Sequence, residues 1–172
     1  MKKYAISKYE NANGKISTQQ WISIHDIGQY FGNVKLTMEQ YKKTEDSFVK
    51  IVLLVLRYMG IEECKINNIE KFALLKIRPD VAVSDPVKSL YNTDIWEVYD
   101  TIRNGDSLNA KQLESVIRLQ LREDIWSEIY VPYRFKLFIR YDYLMGVHTS
   151  CALDSIIDDL SKQTGLYIYR FG

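Results

Sequence analysis

The chain has 172 residues, 47% of them hydrophobic and 26% charged, with a formal net charge of +1. That length fits a single domain, 1–172, and the composition is that of a globular protein with enough core to need no staples. Charge is evenly spread: residues 1–50 carry eight Lys/Arg against five acids and residues 51–100 six against eight. This argues against a direct nucleic-acid partner held by phosphate neutralisation.

Met1-Lys2-Lys3 is basic, but no apolar stretch follows. Neither a secretory leader nor a membrane anchor is expected, and the expected location is the cytoplasm. Cys64 and Cys151 are far apart and read as reduced core thiols.

Taken in order, Lys3 to Tyr9 suggests a short strand through Tyr4 and Ile6, followed by a polar loop over residues 12–20. Trp21, Ile22, Ile24, Ile27, Tyr30 and Phe31 form an apolar cluster expected to lie over one end of the core. Ser23 or Asp26 can cap a single turn there, ending at Gly28 or Gly32. Thr37, with Gln40 three residues on, opens a helix as a capping box. Tyr41, Phe48, Val49, Val52, Leu53, Leu56 and Met59 recur at helical spacing up to Gly60. The run Ile51–Leu56 is apolar all round, which marks this as the central core helix, far short of the ~20 residues that span a membrane.

Cys64-Lys65-Ile66 with Ile69 suggests a short strand or turn, and Ile69–Ile77 is a poorly capped apolar stretch. Pro79 and Asp85-Pro86 predict a loop through Arg78–Ser84, with Ser84 opening a brief helix to Tyr91. Thr93 caps a helix carrying Ile95, Trp96, Val98, Tyr99 and Ile102, ended by Asn104-Gly105. Asn109 and Gln112 cap another, to about Arg122. From Ile125 the period becomes two: a strand to Val131, a turn at Pro132-Tyr133-Arg134, then one long strand from Phe135 to Val147. Ser150 is expected to cap a helix through Lys162, stopped by Gly165, before a last strand over Leu166–Phe171. The expected fold is α+β: a helical N-terminal two thirds around the long central helix, with a C-terminal antiparallel sheet built as hairpin, helix and strand.

Candidate chemistry is sparse. His25-Asp26 reads first as a helix cap. His148 and Cys151 are the best catalytic pair on offer, three residues apart where a strand passes into an expected helix start, and they define the alternative reading as a small hydrolase or transferase. Two histidines and two cysteines do not suggest a zinc site, no glycine-rich phosphate loop is present, and no cofactor is expected. Arg140 and Asp142, with Arg118, Arg122, Glu123 and Asp124, suggest an ion-pair network or a partner-facing charge cluster. Asp94, Glu97 and Asp100, and Asp154, Asp158 and Asp159, follow helical spacing on outward faces. Core filling accounts for most of the 13 tyrosines, and tyrosine is also enriched where proteins dock.

Three stretches carry a resemblance: Thr37–Glu45 (TMEQYKKTE), Ile117–Trp126 (IRLQLREDIW) and Ile139–Met145 (IRYDYLM). Together they resemble immunity proteins of bacterial contact-dependent growth inhibition and related polymorphic toxin systems. The resemblance implies a non-enzymatic cytoplasmic protein that binds and neutralises one toxin domain, by blocking its active site or its access to substrate. It implies a nuclease as target, with an EndoU-type RNase as the narrower expectation. An inhibitor of such a toxin can present carboxylates to a basic cleft. On that ground Asp94, Glu97, Asp100, Asp158 and Asp159, with Tyr99, are the expected partner-binding residues. A third possibility is a structural or regulatory subunit that binds another protein.

Overall fold

The computed structural model describes residues 1–10, 20–72, 85–140 and 142–171. The loops expected over 12–19 and 78–84, and the apolar stretch beyond Phe72, lie outside these residues. The elements in order are β1 (Lys2–Ser7), a 3-10 turn (Ile24–Asp26), β2 (Tyr30–Phe31), β3 (Val34–Lys35), α1 (Met38–Tyr58), β4 (Cys64–Lys71), α2 (Asp85–Lys88), α3 (Thr93–Thr101), β5 (Ser107–Leu108), α4 (Ala110–Leu121), β6 (Ile125–Val131), β7 (Phe135–Arg140), β8 (Leu144–Thr149), α5 (Ile157–Thr164) and β9 (Tyr167–Phe171).

Seven strands form one sheet in the order β5-β4-β6-β7-β8-β1-β9, with every neighbouring pair antiparallel. This corrects the expected helical N-terminal two thirds with a small C-terminal sheet. β1 and β4 are both interior strands, each one in from an edge, so the sheet draws on the whole chain. The reason is long-range pairing. β1 is held on one side by β8, with Lys2 opposite Thr149, and on the other by β9, with Lys3 opposite Phe171. A six-residue strand with two inward residues, Tyr4 and Ile6, gives little local periodicity to reveal that role.

The long strand expected from Phe135 to Val147 is in fact the β7–β8 hairpin, which pairs Leu137 with Val147 and Ile139 with Met145. Asp142 and Tyr143 turn the chain with φ of 62° and 57°. Left-handed backbone is costly for such residues. The Tyr143 ring offsets that cost by burying itself among Trp21, Tyr41 and Phe48, with centroids 5.1, 6.4 and 5.7 Å away.

α1 begins as the sequence indicates, with Thr37 and Gln40 in a reciprocal capping box, and Gly60 follows it at φ 59°. Its stripe of Tyr41, Phe48, Ile51, Val52 and Val55 is fully buried. The 3-10 turn also has its capping box, with Ser23 and Asp26 as partners. α4 is capped by Asn109 and Gln112. Two expected caps are corrected. Asn92 rather than Thr93 caps α3. α5 begins at Ile157 with no side-chain cap, because the segment after Ser150 turns back on the sheet, where the Leu153 amide donates to the Tyr4 hydroxyl at 2.8 Å.

Contacts among the helices set their order across the sheet as α3, α4, α1, α5, with α4 over β6 and β7 and α5 beside β9. They cover the face formed by Tyr4, Ile6, Ile66, Ile125, Ile129, Phe135, Leu137, Met145 and Val147, all buried in one core. Among the described residues no helix is long and apolar enough to cross a membrane.

Candidate functional site

The opposite face of the sheet carries no described helix. Alternation along each strand directs Trp126, Glu128 and Tyr130 of β6, Lys136, Phe138 and Arg140 of β7, and Gly146 and His148 of β8 to that side. The registers then align side chains across strands. Lys65 stands opposite Tyr130, Tyr130 opposite Lys136, Lys136 opposite His148, His148 opposite Lys3, and Lys3 opposite Phe171. Cations and rings thus share one row running over six strands, about 24 Å at ordinary strand spacing. Trp126 on the third strand and Phe171 on the β9 edge, each 48% exposed, stand on this face.

Electrostatics within the row are coupled. Burial, then the charges of Lys3, Lys136 and the chain's amino terminus, lowers the His148 pKa from its ordinary value. Glu128 tempers the stripe, pairing with Lys136 at 2.7 Å. The Phe138 ring packs edge-on to His148 with centroids 5.5 Å apart, and the Arg140 guanidinium lies 5.5 Å from the same ring. Phe138 also covers Gly146, where an added Cβ would meet the ring at 2.3 Å.

His148 and Cys151 do not converge. His148 belongs to the open face, whereas Cys151 packs against the core beneath the sheet, its carbonyl accepting from the Thr149 hydroxyl at 2.6 Å. Asp26 is committed to capping, accepting from the amides of Ile22 and Ser23 at 2.8 and 3.0 Å. Asp94 pairs with Lys111 at 2.9 Å on α3 and α4. Tyr99 donates to the Phe72 carbonyl at 3.1 Å and accepts through its own carbonyl from Lys71. Glu97 and Asp100 are exposed on α3, Asp158 and Asp159 on α5. Since α4 and α1 lie between those helices, the two acidic groups occupy opposite flanks and do not form one patch.

The expected charge network is corrected: Arg140 lies against Phe138 on the open face and Asp142 sits in the β7–β8 turn, while Arg118 and Arg122 gather around a member that sequence reasoning missed. Glu45 of α1, 0% exposed, receives Arg122 through Nε and Nη2 at 2.7 Å each, and Arg118 through Nη1 at 2.6 Å. Arg118 also reaches Asp46 and Glu114, each at 2.7 Å. Tyr91 donates to Asp124 at 2.6 Å, and burial raises the Asp124 carboxyl to about 7, against the lowering effects of that hydrogen bond and of Arg122. The available signal for Glu45 was its phase: it lies four residues after Tyr41 and three before Phe48, on the apolar stripe. These groups serve the α1–α4 interface, and among the described residues no cluster of His, Cys, Asp and Glu is suited to hold a metal ion.

Comparison with known proteins finds no matching family model, no matching curated relative and no matching solved structure.

Proposed function

We propose that this chain is a binding protein without catalytic activity of its own, which neutralises a cognate toxin domain by covering its active site or its route to substrate. The resemblance of Thr37–Glu45, Ile117–Trp126 and Ile139–Met145 to immunity proteins of contact-dependent growth inhibition systems gives the reading its direction. The observation that carries it is the cross-strand row Lys65–Tyr130–Lys136–His148–Lys3–Phe171 on a rigid, helix-backed sheet. Aromatic anchors on fixed backbone lose little entropy on docking, and a rim of charge steers encounter and fixes register. Neutralising a lethal enzyme calls for nanomolar binding, about −12 kcal/mol, which a few buried anchors of this kind can supply.

The narrower proposal is a nuclease toxin, with an EndoU-type RNase as the first candidate and the cytoplasm as the place of action. The acids of α3 and α5 belong to the helical layer, on the side of the sheet away from this row, so contact with them would need a partner that reaches round the sheet. A Cys/His enzyme is not favoured, because His148 belongs to the open face while Cys151 packs against the core.

Co-expression with the C-terminal domain encoded by the neighbouring reading frame tests the proposal. Cell survival with a stable one-to-one complex supports it. Continued killing without complex formation, by a domain shown to be toxic alone, refutes it. Binding to some other protein without protection would instead indicate a regulatory subunit.

A further inference from the structure

Away from the open sheet face, a cleft of about 540 Å³ opens between the first half of α1, the β2–β3 hairpin and the junction of α5 with β9. Trp21, Phe31, Val34, Leu36 and Leu166 give it apolar walls, and Gln20, Gln40, Thr44, Ser47 and Thr164 add uncharged polar groups. Its charged lining consists of two cations, Lys8 and Lys43, with no carboxylate among the described lining residues. This volume lies in the range of small-molecule sites, and a lining that mixes apolar walls with polar groups suits an amphipathic ligand.

Lys8 is the unusual member. Its ammonium lies 3.1 Å from the centroid of the Trp21 ring, with Tyr9 and Tyr143 at 4.7 and 5.1 Å, and it donates to the Trp21 carbonyl. Among the described residues it makes no ion pair. Asp26 and Asp142 act on it only through space, and Asp26 is spent on backbone amides. Burial outweighs both carboxylates and brings the amine down to about 7. A desolvated amine with no direct ion-pair partner holds its proton weakly, and an anion delivered into the cleft would favour the charged form. Lys43 projects from the exposed side of α1 at the same cleft and can take the other side of that anion.

We propose that this cleft binds a small amphipathic carboxylic acid, its carboxylate between Lys8 and Lys43 and its aromatic or aliphatic body against Trp21, Phe31 and Leu166. The inference is independent of toxin neutralisation and is tested on the purified chain alone. The probes are 2-naphthoate and octanoate, each against its neutral amide, 2-naphthamide and octanamide. Binding is read by calorimetry and by amide chemical shifts of the cleft residues.

At least one acid should bind with Kd of about 1 mM or tighter, and its amide at least tenfold more weakly. Lys43→Met should weaken the acid tenfold or more and leave the amide unchanged, whereas Lys111→Met, outside the cleft, should alter neither. The Lys8 Nζ resonance should titrate near neutrality in the free protein and move to higher pH when the acid is bound. Lys8→Met should abolish the preference for acid over amide; if that variant does not fold, Lys43→Met and the Nζ titration still decide the matter. The proposal is overturned if neither acid binds, if acid and amide bind equally, or if the shifts map to the open sheet face.

Discussion

Arg122 grips Glu45 with both ends of its guanidinium fork, Nε to one carboxylate oxygen and Nη2 to the other, at 2.7 Å each, and neither side chain is more than 1% exposed. The pair fastens the last turn of α4 to the first half of α1, and Arg122 further donates to the Leu90 carbonyl at 2.8 Å. A buried pair of this kind contributes little over a well-packed apolar one, but removing one partner strands the other. Glu45→Ala should therefore cost about 3–5 kcal/mol in chemical denaturation. The double replacement Glu45→Leu with Arg122→Met should recover much of that loss. Additive losses in the double variant would contradict this account of the interface.

Lys8 gives stability a distinctive pH dependence. Its folded amine, brought to about 7 by burial, releases its proton well below the unfolded amine at about 10.4. Between those values the unfolded chain holds more protons, so stability rises with pH. The charged or titrating groups that face Lys8 are Asp26, Asp142, Tyr9 and Tyr143. Burial raises both phenols, which opposes the rise only above about 10. Urea midpoints should increase from pH 7 to 9.5 in the wild type, and Lys8→Met should flatten that arm.

Asp124 acts in the opposite sense at lower pH. Its carboxyl is raised to about 7, so the folded state takes up its proton before the unfolded one, whose carboxyl titrates near 3.9. This contribution to stability is present at pH 4 and is lost as pH climbs toward 7. Asp124→Asn should remove that decline, and the side-chain carboxyl resonance of Asp124 should titrate near neutrality. A midpoint close to 4 would contradict the arrangement around Tyr91.

Gly146 holds its place for Phe138. An alanine Cβ there would fall 2.3 Å from the ring, which must swing off the sheet and away from His148. Gly146→Ala should cost about 1–2 kcal/mol. In a Phe138→Leu background the cost should shrink to a few tenths, since the obstruction has gone.

Helices were legible because their signals are local. The boxes at Thr37/Gln40 and Asn109/Gln112 and the stop at Gly165 are each set by residues within a turn of one another. The sheet was not, because its partners are remote: Tyr4 stands opposite Val147 on one side and Arg170 on the other. The β7–β8 hairpin escaped for a subtler reason. Ile139 and Met145 differ by an even number of positions, so inward residues keep their alternation through the turn, and the hairpin reads as one continuous strand. At the surface, alternation did place Lys136 and His148 on the less apolar side. Only strand order could bring Lys65, Tyr130, Lys3 and Phe171 into line with them. The cleft escaped too, since Lys8, Lys43 and Leu166 come from three separated segments.

The central claim is that the open sheet face neutralises a toxin domain. The most direct measurement is survival of cells producing that domain together with the wild type, with Lys3→Glu/Lys65→Glu/Phe171→Ala, or with Cys151→Ser, each confirmed to be folded. Exposed substitutions on the sheet should leave stability within about 0.5 kcal/mol per site. The account predicts full protection by the wild type and the Cys151 variant, and at least a hundredfold loss of protection by the triple variant. Undiminished protection by the triple variant, or its loss in the Cys151 variant alone, would contradict it.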